Sequence, residues 1–193
     1  MEPRSAADEA LEQAVLAALA RGDREGALTL LMRGYGRPLY RFCLGVVGES
    51  SLAEEAHQMT FVQAFEGLGS FGARSSVKTW LFGIARHRCL DALKISRRRA
   101  RRFPLMDELP DAPVPESGGD ERLAAAEARR ALAACLEELP GKVRAALALR
   151  FEQSLSYPEI AVIAGERAAT LQARVARSLP LLKRCLEGRG QAP

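Results

Sequence analysis

The sequence predicts an all-α protein built as two small helical domains joined by a flexible linker, and three observations carry that prediction. Apolar residues recur at helical spacing through most of the 193 residues, whereas alternating runs of Val, Ile and Thr that would mark strands are hard to find. Turn and capping residues divide this pattern into segments of helix length. Over residues 103–119 the composition changes to Pro104, Pro110, Pro113, Pro115, Ser117, Gly118 and Gly119 among acids, which favours an extended, poorly packed chain. The domains are therefore expected at residues 1–102 and 120–193.

Each element follows in order. A helix is expected from about Ser5 to Ala20, with Leu11, Val15 and Leu19 on one face, ending at Arg21-Gly22-Asp23. A second stretch runs from about Asp23 to Val47, where Gly34, Gly36 and Pro38 predict a kink or break. After the turn Gly48-Glu49-Ser50, Ser51-Leu52-Ala53-Glu54 has the form of a capping box, which starts a helix near Leu52 that continues through Phe61, Phe65 and Leu68. Gly67 to Gly72 breaks the pattern. Ser75 or Ser76 then caps a long helix through Trp80, Ile84 and Leu93 into an arginine run.

Beyond the linker a helix opens near Asp120, with Leu132, Leu136 and Leu139 at helical spacing, and Pro140-Gly141 ends it before another from Lys142 to Phe151. Ser156-Tyr157-Pro158-Glu159 is a second capping box, with its proline in the first turn where a missing amide matters little. A short helix to Ala164, a turn at Gly165 and a last helix from about Arg167 make residues 156–179 a helix-turn-helix. Pro180 is expected to end or kink that last helix near Leu179.

Composition narrows the function. A hydrophobic content of 48% fits a globular protein, and a formal net charge of +4 says little by itself about nucleic acid. Its distribution says more: residues 86–102 hold Arg86, Arg88, Lys94, Arg97, Arg98, Arg99, Arg101 and Arg102 against the single acid Asp91, while residues 107–121 are acidic without Lys or Arg. Cys43, Cys89, Cys135 and Cys185 stand far apart with no CxxC, and only His57 and His87 could join them, which argues against a metal site. They read as four reduced, mostly buried thiols. The polar, acidic N-terminus is no signal peptide and no apolar run reaches membrane-spanning length, so a cytoplasmic protein without membrane insertion is expected. No nucleophile with its base, phosphate-binding glycine loop or metal constellation is visible; the expectation is a non-enzyme without cofactor.

Two blocks carry a family resemblance. The first lies in Leu39-Tyr40-Arg41, in Ala53-Glu54-Glu55-Ala56-His57-Gln58-Met59-Thr60-Phe61 and in Ser76-Val77-Lys78-Thr79-Trp80-Leu81-Phe82-Gly83-Ile84-Ala85-Arg86. The second lies in Leu139-Pro140 with Arg144, in Ser156-Tyr157-Pro158-Glu159-Ile160-Ala161, and in Gly165 with Thr170, Arg174 and Arg177. In this order the chain resembles the extracytoplasmic-function (ECF) sigma factors, a subfamily of sigma-70-type RNA polymerase sigma factors. The resemblance implies an alternative sigma factor: a −10 recognition and melting domain (sigma domain 2), a linker threading toward the polymerase's active-site channel, and a −35-reading domain (sigma domain 4). It also implies core RNA polymerase as partner, through the clamp of its largest subunit and the flap of its second, together with promoter DNA and an anti-sigma factor.

The residues support these roles to different degrees. Glu54, Glu55 and Gln58 project from a helix whose other side is apolar, and with Phe61 they are the candidate polymerase contacts; a solvated helix face is the alternative. Phe71, Arg74, Ser75, Ser76, Lys78 and Trp80 combine stacking surfaces with phosphate donors around a loop, as single-stranded DNA requires, and Arg86 and His87 extend this −10 set. For Trp80 a place in the core is the commoner fate. Arg97, Arg98, Arg99 and Arg101 suit duplex phosphates. In the last helix Arg167, Thr170, Gln172, Arg174 and Arg177 are the candidates for the −35 major groove. Gln172, Ala173 and Pro180 depart from the family pattern, which leaves two rivals: a stand-alone helix-turn-helix regulator, and a degenerate sigma-like interaction protein.

Overall fold

The computed structural model describes residues 5–102 and 120–190, so the linker expected at 103–119 lies outside the described residues. Among the described residues eight α-helices follow in order: α1 (Ala6–Ala20), α2 (Arg24–Val47), α3 (Ser50–Leu68), α4 (Val77–Arg102), α5 (Asp120–Glu137), α6 (Gly141–Leu147), α7 (Tyr157–Ala164) and α8 (Ala168–Gly188). A π-helical turn, Ala148–Glu152, extends α6. No strand occurs among the described residues.

Helices α1 to α4 enclose one core. Phe82 of α4 is fully buried and meets Tyr35 and Phe42 of α2 edge-on, at centroid distances of 6.2 and 5.4 Å. Ser5 and Asp23 cap α1 and α2 by accepting from the amides of Ala7 and Gly26. Gly34 admits α1 at close range, since a Cβ there would stand 2.1 Å from Leu11 Cδ2.

Sequence and structure part company at four places. Of the kink or break expected at Gly34-Gly36-Pro38, the break does not occur: α2 is continuous. Pro38 costs about 3 kcal/mol in a helix interior. Leu31, Leu39, Phe42 and Val46, all fully buried to either side of it, contribute about 1.5–3 kcal/mol each. The capping box expected at Ser51 is absent as well: Glu49 occupies the extended N-cap position with no side-chain cap, and Ser51 lies inside α3 with its hydroxyl donating to the Glu49 carboxylate. Ser76 does cap α4, accepting from the Thr79 amide at 3.0 Å.

The other two differences lie in the second domain. Helix α8 runs through Pro180 to Gly188, because Leu171, Val175, Ser178 and Leu182 are buried on both sides of the proline and hold the helix to its neighbours. Cys135 of α5 and Cys185 of α8 form a disulfide, so the free thiols are Cys43 and Cys89, both fully buried. Fifty residues of separation concealed that pairing from the spacing.

The second half matches its expected caps closely. Ser156 and Glu159 complete a capping box at α7, and Gly165 (φ 65°) turns the chain from α7 into α8. Leu149, Leu155, Ile160, Leu171 and Val175 form its interior. The two halves touch, with α6 and α7 lying on α4, and α6 and the π turn on α2. Gly141 makes the approach possible: a Cβ there would come within 2.5 Å of Leu93 Cδ1.

Candidate nucleic-acid interface

Helix α3 is two-sided. Ala53, Ala56, Thr60, Phe61 and Ala64 are buried, while Glu54, Glu55 and Gln58 are exposed beside Met59 and Val62, which are 42% and 50% accessible. A carboxylate-rich strip edged by apolar side chains can meet a basic, partly apolar partner. Phe61, grouped with the polymerase contacts from sequence, faces inward: it meets His57 edge-on, and His57 in turn meets Tyr40 and reaches the Gly36 carbonyl at 3.1 Å. Its part is to seat α3 on α2.

The loop from Gly69 to Ser76 separates the −10 candidates into two groups. Phe71 packs on Trp80 with ring centroids 5.0 Å apart, and Trp80 also lies against Gly67, so the tryptophan combines a core side with a partly exposed one. Arg74 is exposed, and Ala73 beside it has φ 49°, a conformation that an alanine adopts only when its surroundings impose it. Ser75 is half-buried. Ser76 is buried and committed to the α4 cap, while Lys78 is paired with Asp8 of α1 at 2.9 Å. Glu12 of α1 accepts from the Val77 amide. Nothing in the sequence pattern pointed to this α1 cover. Lys78 lies in a cleft of about 360 Å³ closed on its far side by Glu152 to Ser156 of the second domain.

Farther along α4, His87 is exposed and bridged to Asp91, whereas Arg86 is half-buried. Burial pushes the Arg86 guanidinium below its ordinary value, against the attraction of Glu166. Arg97, Arg98, Arg99 and Arg101 are all exposed, the last three lining a basic cleft with Ile95.

In α8 the buried positions Leu171, Val175, Ser178 and Leu182 define an inner face. At about 100° per residue, Thr170 and Arg177 fall on one flank of the outer face and Gln172 on the other. All three are exposed, as is Arg167 at the N-cap. Between the flanks stand Ala173 and Ala176, exposed and too short to obstruct a groove. Arg174 is held by Glu166, its Nη1 donating at 3.0 Å in a two-point fork. Arg184 was absent from the sequence-derived set. It is exposed and lies two turns beyond Arg177 on the same flank, a position that exists only because α8 continues past Pro180. Reading the helix as ended or kinked near Leu179 hid it.

A seam joins the two halves. Glu166 and Arg174 of the helix-turn-helix stand beside Arg86 of α4, and Ile163 of α7 rests against Gly83. At the same seam Arg144 of α6 is buried, with its Nη1 donating to the Glu137 carbonyl at 3.2 Å and its Nε without a partner among the described residues.

Known proteins share both halves. The family model for Sigma-70 region 2 matches residues 31–101, and that for Sigma-70, region 4 matches residues 129–182. The ECF RNA polymerase sigma factor SigM of Mycobacterium tuberculosis (strain H37Rv) is 32% identical over 172 residues, which cover 89% of this chain and 83% of the relative. The chain belongs to the ECF sigma factors. SigC of M. tuberculosis (strain CDC 1551) is 31% identical over 173 residues, 89% of this chain and 88% of that one. Among solved structures, the sigma factor RpoE of Bartonella quintana, in complex with the anti-sigma factor NepR, superposes with a TM-score of 0.62 at 25% identity, covering 86% of this chain and 97% of that one. CnrH, in complex with the cytosolic domain of CnrY, shares the fold with a TM-score of 0.63 at 22% identity, covering 94% and 98%.

The sigma factor thus has two helical domains matching sigma domains 2 and 4, and it serves as an alternative sigma factor that binds core RNA polymerase and promoter DNA to direct transcription initiation. A match in region 2 sets aside the stand-alone helix-turn-helix regulator, which has no use for that domain. Sigma factors are in general non-enzymatic, and among the described residues no helix is long and apolar enough to cross a membrane.

Proposed function

We propose that this sigma factor docks the polymerase clamp through Glu54, Glu55 and Gln58 of α3, captures unpaired −10 bases at Phe71, Arg74 and Trp80, and reads −35 duplex through Arg167, Thr170, Gln172, Arg174 and Arg177. Arg184 extends that last set along the phosphates. Arg97, Arg98, Arg99 and Arg101 hold duplex phosphates near the melted segment, and Phe61 positions the docking helix from beneath. The sigma factor performs no chemistry itself and acts in the cytoplasm, where the polymerase is. Its domain limits are 1–102 and 120–193, with 103–119 as linker. An anti-sigma factor is a further partner, since the Bartonella relative was solved with one.

The observation that carries this reading is the exposed strip Glu54, Glu55 and Gln58 on a helix whose opposite side is core. Ser76 and Lys78, committed to the α4 cap and to Asp8, become available to DNA only if α1 yields them. Abortive transcription with core polymerase on a promoter library tests the whole. Sequence-dependent initiation is expected only with the protein present. Gln58→Ala should weaken core binding about tenfold without lowering Tm, as expected for one interface contact. Trp80→Ala should leave core binding intact and reduce open-complex formation. Polymerase binding without initiation on any promoter would favour the degenerate sigma-like protein instead.

A further inference from the structure

The chain holds two cysteine pairs, and only one of the four sulfurs, that of Cys185, belongs to a residue with appreciable access to solvent. Cys43 and Cys89 lie between α2 and α4 with no exposure, and their mutual hydrogen bond, then burial, pushes the Cys89 thiol far up, away from the reactive thiolate. Cys135 and Cys185 lie between α5 and α8, with Cα atoms 5.8 Å apart; Cys135 is 1% accessible and Cys185 is partly exposed. Cys185 follows Pro180 by about one and a half turns of α8. A proline removes a backbone hydrogen bond there, so the segment beyond it depends on its side-chain anchors. Among the described contacts these are Leu182, the partly buried Leu186, the bridge from Arg189 to Glu138 at 3.1 Å, and the disulfide.

We propose that Cys135 and Cys185 form a reversible dithiol–disulfide site, closed by a hydroperoxide or a small disulfide, and that closure pins the end of α8 beyond Pro180 onto α5. With a hydroperoxide, the accessible Cys185 thiolate attacks the terminal oxygen, the O–O bond breaks, and the alcohol or water leaves with a proton. The Cys185 sulfenic acid is then attacked by the Cys135 sulfur, the S–O bond breaks, and water leaves with the Cys135 proton. Two thiols lose two electrons and the peroxide gains them. With a small disulfide, each of two exchange steps releases one thiol, and added thiol reverses both. Where the surroundings keep thiols reduced, such a bond forms only under oxidant. Glu138, whose carboxylate oxygen is 3.6 Å from the Cys185 sulfur, is placed to accept from the thiol in the reduced form.

The test uses the full chain, reduced, freed of oxygen and then treated with hydrogen peroxide or with oxidised and reduced glutathione at graded ratios. Non-reducing peptide mapping should recover a Cys135–Cys185 cross-link, with Cys43 and Cys89 still alkylatable after unfolding. Hydrogen exchange over residues 181–188 should slow by about tenfold or more on oxidation and recover with dithiothreitol. Cys185→Ser should lose both responses while retaining the exchange pattern of the reduced wild type. Cross-linking at other cysteines, mixed disulfides or sulfinic acid alone, or a bond that leaves residues 181–188 unchanged would each overturn the proposal. So would a bond that resists glutathione at every ratio, which would make it a fixed staple.

Discussion

Sigma domain 2 and sigma domain 4 reach stability by different means in one chain. The first has long helices around a core of large side chains, with Phe42, Phe82, Leu31, Leu39 and Leu81 all fully buried. The second has an interior mainly of Ala, Leu, Val and Ile, one helix of 7 residues and another of 8, and carries a capping box, a π turn and, when it is closed, the Cys135–Cys185 disulfide. A small core cannot bury enough surface alone, so local devices and the neighbouring domain supply the difference. The seam is itself a compromise, because it buries Arg144 and partly buries Arg86, and desolvation pushes both guanidinium groups down from their ordinary value.

The sharpest way to break the comparison is Phe82→Ala. Removing a buried phenylalanine with two edge-on aromatic partners should cost about 3–5 kcal/mol, seen as a lowered denaturation midpoint. Because α6 and α7 rest on α4, hydrogen exchange should rise first in α1–α4 and then in α7. Equal, simultaneous loss in both domains would mean that they fold as one unit. A smaller effect is expected from Ser156→Ala, which removes the hydroxyl that caps α7 and its bond to Glu159. It should cost about 1 kcal/mol, with faster exchange confined to α7. An effect spreading into α2 or α3 would show the second domain to be less independent than its caps suggest.

Much of this architecture could be read in the chain because its signals are local. Ser156 with Glu159, Gly165, and the spacing of Leu171 and Val175 specify the helix-turn-helix within a few residues of each feature. What could not be read is non-local. Pro38 and Pro180 are strong helix breakers on a local scale, and both are overruled by buried neighbours on either side that only the tertiary fold brings into play. Cys135 finds Cys185 across fifty residues, Lys78 finds Asp8 across seventy, and Arg86 finds Glu166 across the seam. The site residues follow the same rule. The exposure of candidates such as Glu55 and Gln172 was legible from periodicity, while the engagement of Ser76 in the α4 cap and of Lys78 with Asp8 was not.

The smallest expected effect concerns the seam and has a defined pH dependence. Hydrogen bonding to Arg174, reinforced by the charges of Arg174, Lys142 and Arg86, holds the Glu166 carboxyl below its ordinary value of 4.5. A depressed folded-state value means that the native protein binds the proton less readily than the unfolded chain. The stabilisation is therefore complete above the unfolded value and disappears as pH falls through the folded one. Glu166→Gln removes the charge and keeps the shape. For a partly exposed pair the difference from wild type should be about 0.5–1 kcal/mol near neutral pH, and it should shrink toward zero as pH is lowered from about 5 through the depressed value. Added salt should reduce it as well, because the pair is only partly buried. If the fork also fastens the helix-turn-helix to α4, Glu166→Gln should lengthen the mean distance between spin labels placed on α3 and α8. An unchanged distance with the same loss of stability would confine the role of Glu166 to bracing Arg174 within its own domain, and the seam would then rest on apolar contacts such as Ile163 against Gly83 and Leu90 and Leu93 against Gly141.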